Sequence, residues 1–395
     1  MIEIEDKRNC SGCHSCYAIC PLQCISMEPD REGFWYPRVD AEVCTECGLC
    51  DEACPIISPT IHNGSVSAFA CINRNDEIRE KSSSGGVFSL IAEAIIIRNG
   101  IVFGAGFDEN FDVVHGWTHS IEGLSAFRGS KYVQSRIGNA LIEVQEFLEA
   151  GRPVLFSGTP CQIAGLYSYL GKEYSNLFCV DIVCHGVPSP RVWQRYRMQM
   201  EERCRAQVQR IAFRRKDCGW KLYSVSFSFD NDTEYSQPLT NDIYMKGFLS
   251  NLYLRASCYS CHFKSLNRPS DITLADFWGI ENVLPHLDDD KGTSLVLVHT
   301  EKGAAMLATL ADKMICEKVD VNKAISFNSS VIKSVAMNSK REEFFTELDK
   351  GEDVFSLIEK HVDFSPLQWL FCKFRQYLFT RPKVHNNYGK KIRHE

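Results

Sequence analysis

From residue 82 to residue 190 the apolar positions switch between helical periodicity and short unbroken runs. Val87 to Arg98 is an apolar helical run that Asn99-Gly100 closes, and a strand, Ile101–Gly106, follows. A second helix is expected from about Ile137 to Ala150, capped by Gly151, then a buried strand from Pro153 to Ser157. Gly158-Thr159-Pro160-Cys161-Gln162 leads into a helical run that stops at Leu170-Gly171, with Pro160 suited to the first turn. That puts Cys161 at a helix N-terminus, where a thiolate is favoured. The strand Leu177–Cys184 runs into His185-Gly186, Pro188 and Pro190, ahead of a helix rich in Arg and Met. Ile211–Trp220 and the alternating Ser224–Phe229 predict an antiparallel hairpin. After residue 300 the chain reads as mostly helical. Strands alternating with helices predict an α/β (α+β) body with a mixed sheet, in which ligands bind at strand carboxyl ends.

The first 54 residues follow a different logic. Cys10-x2-Cys13-x2-Cys16-x3-Cys20-Pro21 is repeated 34 residues later as Cys44-x2-Cys47-x2-Cys50-x3-Cys54-Pro55. This is the bacterial two-cluster ferredoxin spacing, in which three thiolates of one tight loop hold a cubane and the fourth Cys crosses to the other. The expected ligands are Cys10, Cys13, Cys16 and Cys54 for one [4Fe–4S] cluster, and Cys44, Cys47, Cys50 and Cys20 for the second. Zinc normally uses paired CxxC knuckles rather than triple runs ending in Cys-Pro. Cys24 belongs to neither set. A small ferredoxin-like 2[4Fe–4S] domain is therefore expected to precede the body.

Charge separates the same two parts. The whole chain has a net charge of −6, but residues 1–54 hold 11 acids and 4 bases, and nine of the 19 cysteines. The overall acidity argues against a nucleic-acid partner. No apolar run is long enough for a transmembrane helix. The opening Met1-Ile2-Glu3-Ile4-Glu5-Asp6 is unlike a secretory signal. Nineteen cysteines without such a signal suit reduced thiols and metal ligands in the cytoplasm. Domain boundaries are expected at 1–58 for the ferredoxin domain, 66–155 and 156–325 for two lobes of the body, and 326–395 for a helical extension.

Six stretches of the body, Ser82–Phe88, Phe127–Ser135, Ser157–Leu166, Cys184–Pro190, Phe213–Trp220 and Cys258–Ile280, resemble the coenzyme F-420 hydrogenase/dehydrogenase beta-subunit family of iron–sulfur flavoproteins. With the ferredoxin module the resemblance covers roughly residues 1–310. It implies a bound FAD near cubane clusters, contacted by Ser83, Ser84, Gly85, Gly86, Ser130, Lys131, Gln134, Gly158, Thr159 and Gln162. A Ser/Gly loop at a helix N-terminus suits a pyrophosphate independently of any likeness. The resemblance also suggests a third [4Fe–4S] cluster on Cys161, Cys184, Cys258 and Cys261. Two other readings of those residues stand beside it: a zinc site on Cys258, Cys261 and His262, or a catalytic Cys161 thiol.

Two side chains are candidates for catalysis: Lys131 to balance charge on a reduced flavin, and His185 to donate a proton beside it. The functional expectation is an FAD-dependent iron–sulfur oxidoreductase linking a one-electron protein partner to a small organic molecule, a deazaflavin being the family's namesake. The alternative is an electron-transfer subunit without a substrate of its own. Arg214, Arg215 and Lys216 could hold an anionic substrate, but read first as a solvated hairpin turn. From Pro366 onward, aromatic residues at helical spacing accompany seven Lys/Arg and no acid before Glu395. That tail suits a packed helix with a solvated basic end, or docking on an anionic membrane surface or an acidic partner.

Overall fold

A computed structural model describes residues 1–59 and 64–362. The ferredoxin module is a pseudo-repeat of two short helices, α1 (Ser15–Ile19) and α2 (Leu49–Glu52), with an antiparallel hairpin, β1 (Ile25–Pro29) and β2 (Trp35–Val39), between them. Each helix is entered through a left-handed residue, His14 (φ 65°) and Gly48 (φ 80°). This sharp entry lets three closely spaced cysteines curl round one point. Only Ile2, Ile25 and several of the cysteines themselves make its core, so the module depends on what the thiols hold.

The body is built on one eight-stranded sheet. Its strands are β3 (Ser67–Asn73), β4 (Ile101–Phe107), β5 (Val113–Thr118), β6 (Val154–Gly158), β7 (Leu177–Ile182), β11 (Ile272–Asp276), β12 (Ser294–Val298) and β13 (Met314–Val319). They lie in the order β13-β3-β12-β11-β7-β6-β4-β5. The central run β11-β7-β6-β4 is parallel and the flanking pairs are antiparallel. Helices α3 (Asp76–Glu80), α4 (Val87–Ile97), α5 (Ala140–Glu149) and α6 (Pro160–Leu170) belong to this part. Val87, Leu90, Ile91 and Ile95 of α4 pack with Val102, Leu155 and Val180 of the sheet, while Leu141, Val144, Ile163 and Leu166 of α5 and α6 form a second core with Phe103 and Phe156. α5 begins three residues later than its periodicity suggests because Gly138 takes φ +56°.

A three-stranded antiparallel sheet, β8 (Val208–Arg215), β9 (Ser224–Phe229) and β10 (Glu234–Pro238), packs with α7 (Pro190–Cys204) and α8 (Ile243–Leu249) in an aromatic core around Trp193, Tyr196, Phe227 and Tyr244. Helices Arg341–Asp349 and Val354–His361 join that core through Phe344, Phe345, Leu348, Leu357 and Ile358.

Two domain boundaries change accordingly. A division at residue 155 would fall inside β6, which pairs directly with β4 from Ile101↔Val154 to Phe103↔Phe156. Residues 326–362 are core material rather than an appendage. The basic aromatic tail lies outside the described residues.

Candidate redox site

Three cavities are walled by cysteines, and the third adjoins a larger one. Cys20, Cys44, Cys47 and Cys50 line the outermost, with Cys24 beside them. The second is lined by Cys10, Cys13, Cys16 and Cys54. The third is lined by Cys161, Cys184, Cys258 and Cys261, although these come from separate stretches of chain. Cys161 sits at the second position of α6, Cys184 follows β7, and Cys258 lies in the short turn Ala256–Ser260. Ser11 and Ile56 line both the second and third cavities. Thr159, Cys184, His185, Gly186 and Val187 line both the third and the large one.

The cysteine sulfurs of the cavities are spread more widely than a zinc ion would hold them. Among the described residues no three cysteine sulfurs come within 4.8 Å of one another. Zinc–sulfur bonds of about 2.3 Å would require sulfurs about 3.8 Å apart. Burial pushes the Cys13, Cys184 and Cys258 thiols up to about 12 and raises Cys161 further. The thiolate expected of Cys161 from its helix terminus is thus overruled by desolvation, and a bound metal would be needed to ionise these groups.

Positive charge surrounds the third cavity. Its lining includes Arg255, Lys264 and Arg268 and no carboxylate. Lys264 Nζ donates to the carbonyls of Cys184 and Ser330, the latter at 2.9 Å. The Val187 amide donates to Cys258 Sγ at 3.4 Å. Arg255 is fully buried, lines the third cavity and reaches Cys10 of the second. It donates to Cys10 O (2.8 Å), Cys10 Sγ (3.4 Å), Trp35 O (2.9 Å) and Gln134 Oε1 (3.2 Å), and lies over the Tyr36 ring.

The large cavity, about 420 Å³, opens at the carboxyl ends of the parallel strands. Ser83, Ser84, Gly86, Ser130, Lys131, Gly158, Thr159, Gln162 and His185 all line it. Ser83 Oγ accepts from the Ser130 amide at 2.7 Å, joining the Ser/Gly loop to the second loop. Gln162 Oε1 accepts from the Thr159 amide (2.9 Å) and its Nε2 donates to Ser135 Oγ (2.9 Å), which fixes the turn after β6. Lys131 Nζ donates to Ala126 O (2.8 Å) and Arg128 O (3.3 Å), and burial lowers its pKa to about 7. His185 Nε2 meets Asn251 Oδ1 at 2.7 Å, and burial lowers its pKa.

Two expected contacts lie elsewhere. Gly85 is turned into the protein: a Cβ there would sit 2.7 Å from Ser294 N and still closer to Cys71 O. Gln134 faces the ferredoxin loop, donating to Ser11 O at 3.3 Å while accepting from Arg255. The supposedly solvated turn is also a correction. Arg214 is buried in a two-pronged ion pair with Asp276 (2.5 and 3.1 Å), and the Trp220 indole donates to the same carboxylate at 2.9 Å. Lys216 Nζ donates to Arg79 O (2.7 Å), Ser84 O (3.2 Å) and Lys291 O (2.6 Å), so it holds the Ser/Gly loop from beneath. Burial takes its pKa to about 8. Only Arg215 is half exposed, paired with Asp217 and Glu234. Arg255 and Asp276 went unnoticed in the sequence, and Lys216 was placed on the surface. The sole hint was a run of cations too close to a Trp to be ordinary surface.

Residues 151–324 match the family described as the C terminus of the coenzyme F420 hydrogenase/dehydrogenase beta subunit, and residues 9–56 match the 4Fe-4S dicluster domain. The chain carries both domains. The beta-subunit domain thus spans β7, α7, the three-stranded sheet and the third cysteine cavity, and the dicluster domain spans the first two. Among curated relatives, the F subunit of F(420)H(2) dehydrogenase from Methanosarcina mazei is 25% identical over 171 residues, 41% of this chain and 49% of the relative. The B subunit of the Na(+)-translocating ferredoxin:NAD(+) oxidoreductase complex from Acetobacterium woodii is 46% identical over 49 residues, 12% of this chain and 14% of the relative. The chain thus spans about half or less of these relatives' lengths. A chain of the F420-reducing [NiFe] hydrogenase complex from Methanosarcina barkeri superposes with a TM-score of 0.45 at 15% identity, covering 84% of this chain and 99% of that one. Among the described residues no helix is long and apolar enough to cross a membrane.

Proposed function

We propose that this chain is an iron–sulfur oxidoreductase subunit that relays single electrons through three [4Fe–4S] sites to FAD in the large cavity, where a small organic acceptor or donor reacts. The observation that carries the reading is the adjacency of two cysteine cavities and the large one. The second and third share wall residues, and so do the third and the large one. Flavin supplies the conversion between one-electron steps and a two-electron transfer.

The protein's own contribution is positional and electrostatic. The Ser83–Gly86 loop, braced by Lys216 and Ser130, walls the large cavity just ahead of the N-terminus of α4, where a pyrophosphate would sit, with the Gly85 amide and Ser84 hydroxyl themselves held by Ser294 Oγ and Thr293 O. Lys131 offers a proton near neutrality at the cavity wall. His185 and Thr159 stand on the partition between the third cysteine cavity and the large one. Arg255, Lys264 and Arg268 offset the negative charge of a thiolate-ligated cluster.

Protein loaded anaerobically with iron, sulfide and FAD should contain about twelve irons and one flavin per chain. Cys258→Ser should lose about four irons while Cys13→Ser loses another four. A full twelve in Cys258→Ser, or zinc in the third cavity, would remove the relay's last step. The runner-up, an electron-transfer subunit with no substrate of its own, is favoured by the subunit status of both named relatives. Steady-state reduction of a deazaflavin or another soluble acceptor by the isolated chain excludes it.

A further inference from the structure

The outer end of the relay differs in surface chemistry from the rest of the module. On its inner side the ferredoxin module is tied down: Ser15 Oγ donates to Gly165 O at 2.8 Å, Cys13 packs on Gly165, and Arg255 holds Cys10 and Trp35. The outer cavity instead opens among side chains that none of the described residues covers. Met1 (45% exposed), Leu22 (45%) and Leu49 (37%) wall it, and Cys47, one of its cysteines, reaches the surface. Around this apolar centre Asp40, Glu42, Glu46 and Glu52 are all exposed. From Val39 to Cys54 there is no Lys or Arg. The chain's N-terminal ammonium supplies a local cation, 3.6 Å from Asp51.

An apolar centre within a predominantly acidic rim, directly over an electron-carrying group, has the anatomy of a transient redox interface. The rim steers encounter and sets orientation, while the centre excludes water at the transfer point. We propose that this face is the docking surface for a basic one-electron carrier protein. The inference rests on reading the Cys20/Cys44/Cys47/Cys50 cavity as a cluster site. Its partner should present positive side chains around an exposed redox edge.

Stopped-flow oxidation of the full, cluster-loaded and prereduced chain by a lysine-rich cytochrome c tests this. The triple variant Glu42→Lys/Glu46→Lys/Glu52→Lys should slow the second-order rate about 10- to 100-fold at low ionic strength, and the gap should close at about 0.5 M salt. The same number of reversals on the body, Glu109→Lys/Glu173→Lys/Asp312→Lys, should change it less than about threefold. Equal losses in the two variants would mean that only net charge matters and would overturn the proposal. So would faster oxidation of a chain truncated at residue 365, since the basic tail would then be the occupant of this face. Iron content separates the two layers of the argument. A low iron count with no reducible cluster defeats the cluster reading, whereas calorimetric binding of oxidised cytochrome c, which needs no cluster, still decides docking.

Discussion

Replacing Arg255 by Met keeps the length and apolar stem of the side chain and removes a buried positive charge. Two magnitudes follow. Mechanically, the guanidinium's bonds to Cys10 O, Trp35 O and Gln134 Oε1 tie the ferredoxin module to the body. Charge-assisted bonds contribute about 1.5–3 kcal/mol each, against several kcal/mol for burying the ion, leaving a net loss of about 3 kcal/mol. Among the described residues no carboxylate forms an ion pair with Arg255, and Cys10 Sγ, a ligand of the proposed second-cavity cluster, lies 3.4 Å away. A unit charge about 6 Å from a cluster, at an effective dielectric of about 20, contributes about 2.8 kcal/mol. For one electron that corresponds to about 120 mV. In an anaerobic redox titration followed by electron paramagnetic resonance, Arg255→Met should therefore lower one cluster's midpoint by about 50–120 mV. Arg255→Lys should restore most of the potential but, lacking the planar fork, less of the thermal stability. Midpoints within about 20 mV of the parent in Arg255→Met, with iron content intact, would show that the guanidinium's charge does not act on a cluster.

Three further outcomes are expected. Gly85→Val, and to a smaller extent Gly85→Ala, should destabilise the protein by about 3 kcal/mol or more in thermal unfolding, because any Cβ collides with backbone of β3 and β12; flavin loss should accompany unfolding rather than precede it. Lys131 has a lowered pKa of about 7, so its charge is present below that pH and lost above it; FAD affinity should weaken between pH 6 and 8, and Lys131→Met should flatten that profile, although Lys216, with a pKa of about 8, leaves a residual slope. Asp276→Asn strands the buried Arg214 without its carboxylate and should cost about 3–5 kcal/mol, read by calorimetry.

What the sequence revealed depended on how local each signal was. The two cysteine runs were legible because cluster ligation is written in spacing, and the turn after β6 because Thr159, Pro160 and Gln162 encode a helix start within four positions. β3 escaped notice although it lies between β12 and β13. Ser-Ala-Phe-Ala-Cys-Ile-Asn is short, built largely from small side chains, and follows a proline-bearing segment that reads as linker. Arg214 and Lys216 looked like surface because what buries them comes from afar: Asp276 is sixty-two positions from Arg214, and the carbonyls of Arg79 and Ser84 more than a hundred from Lys216. Gln134 was assigned to the flavin on motif alone. Its actual neighbours, Ser11 and Arg255, lie more than 120 positions away in opposite directions.

Glu32, in the turn between β1 and β2, is gripped from two far-off places. Ser189 Oγ donates to its carbonyl, and Arg341, 309 positions downstream, forms a two-pronged ion pair with its carboxylate. The residues that carry the first two cysteine quartets therefore leave the ribosome long before the side chain that fastens them down. During synthesis the module lacks this last fastening until almost the whole described chain is made. Once Arg341 arrives the same clamp works in reverse. The module cannot swing as a tethered arm, so the spacing of its cysteine cavities from the body is set by the fold rather than by diffusion of a linker, and internal electron flow should be insensitive to solvent viscosity.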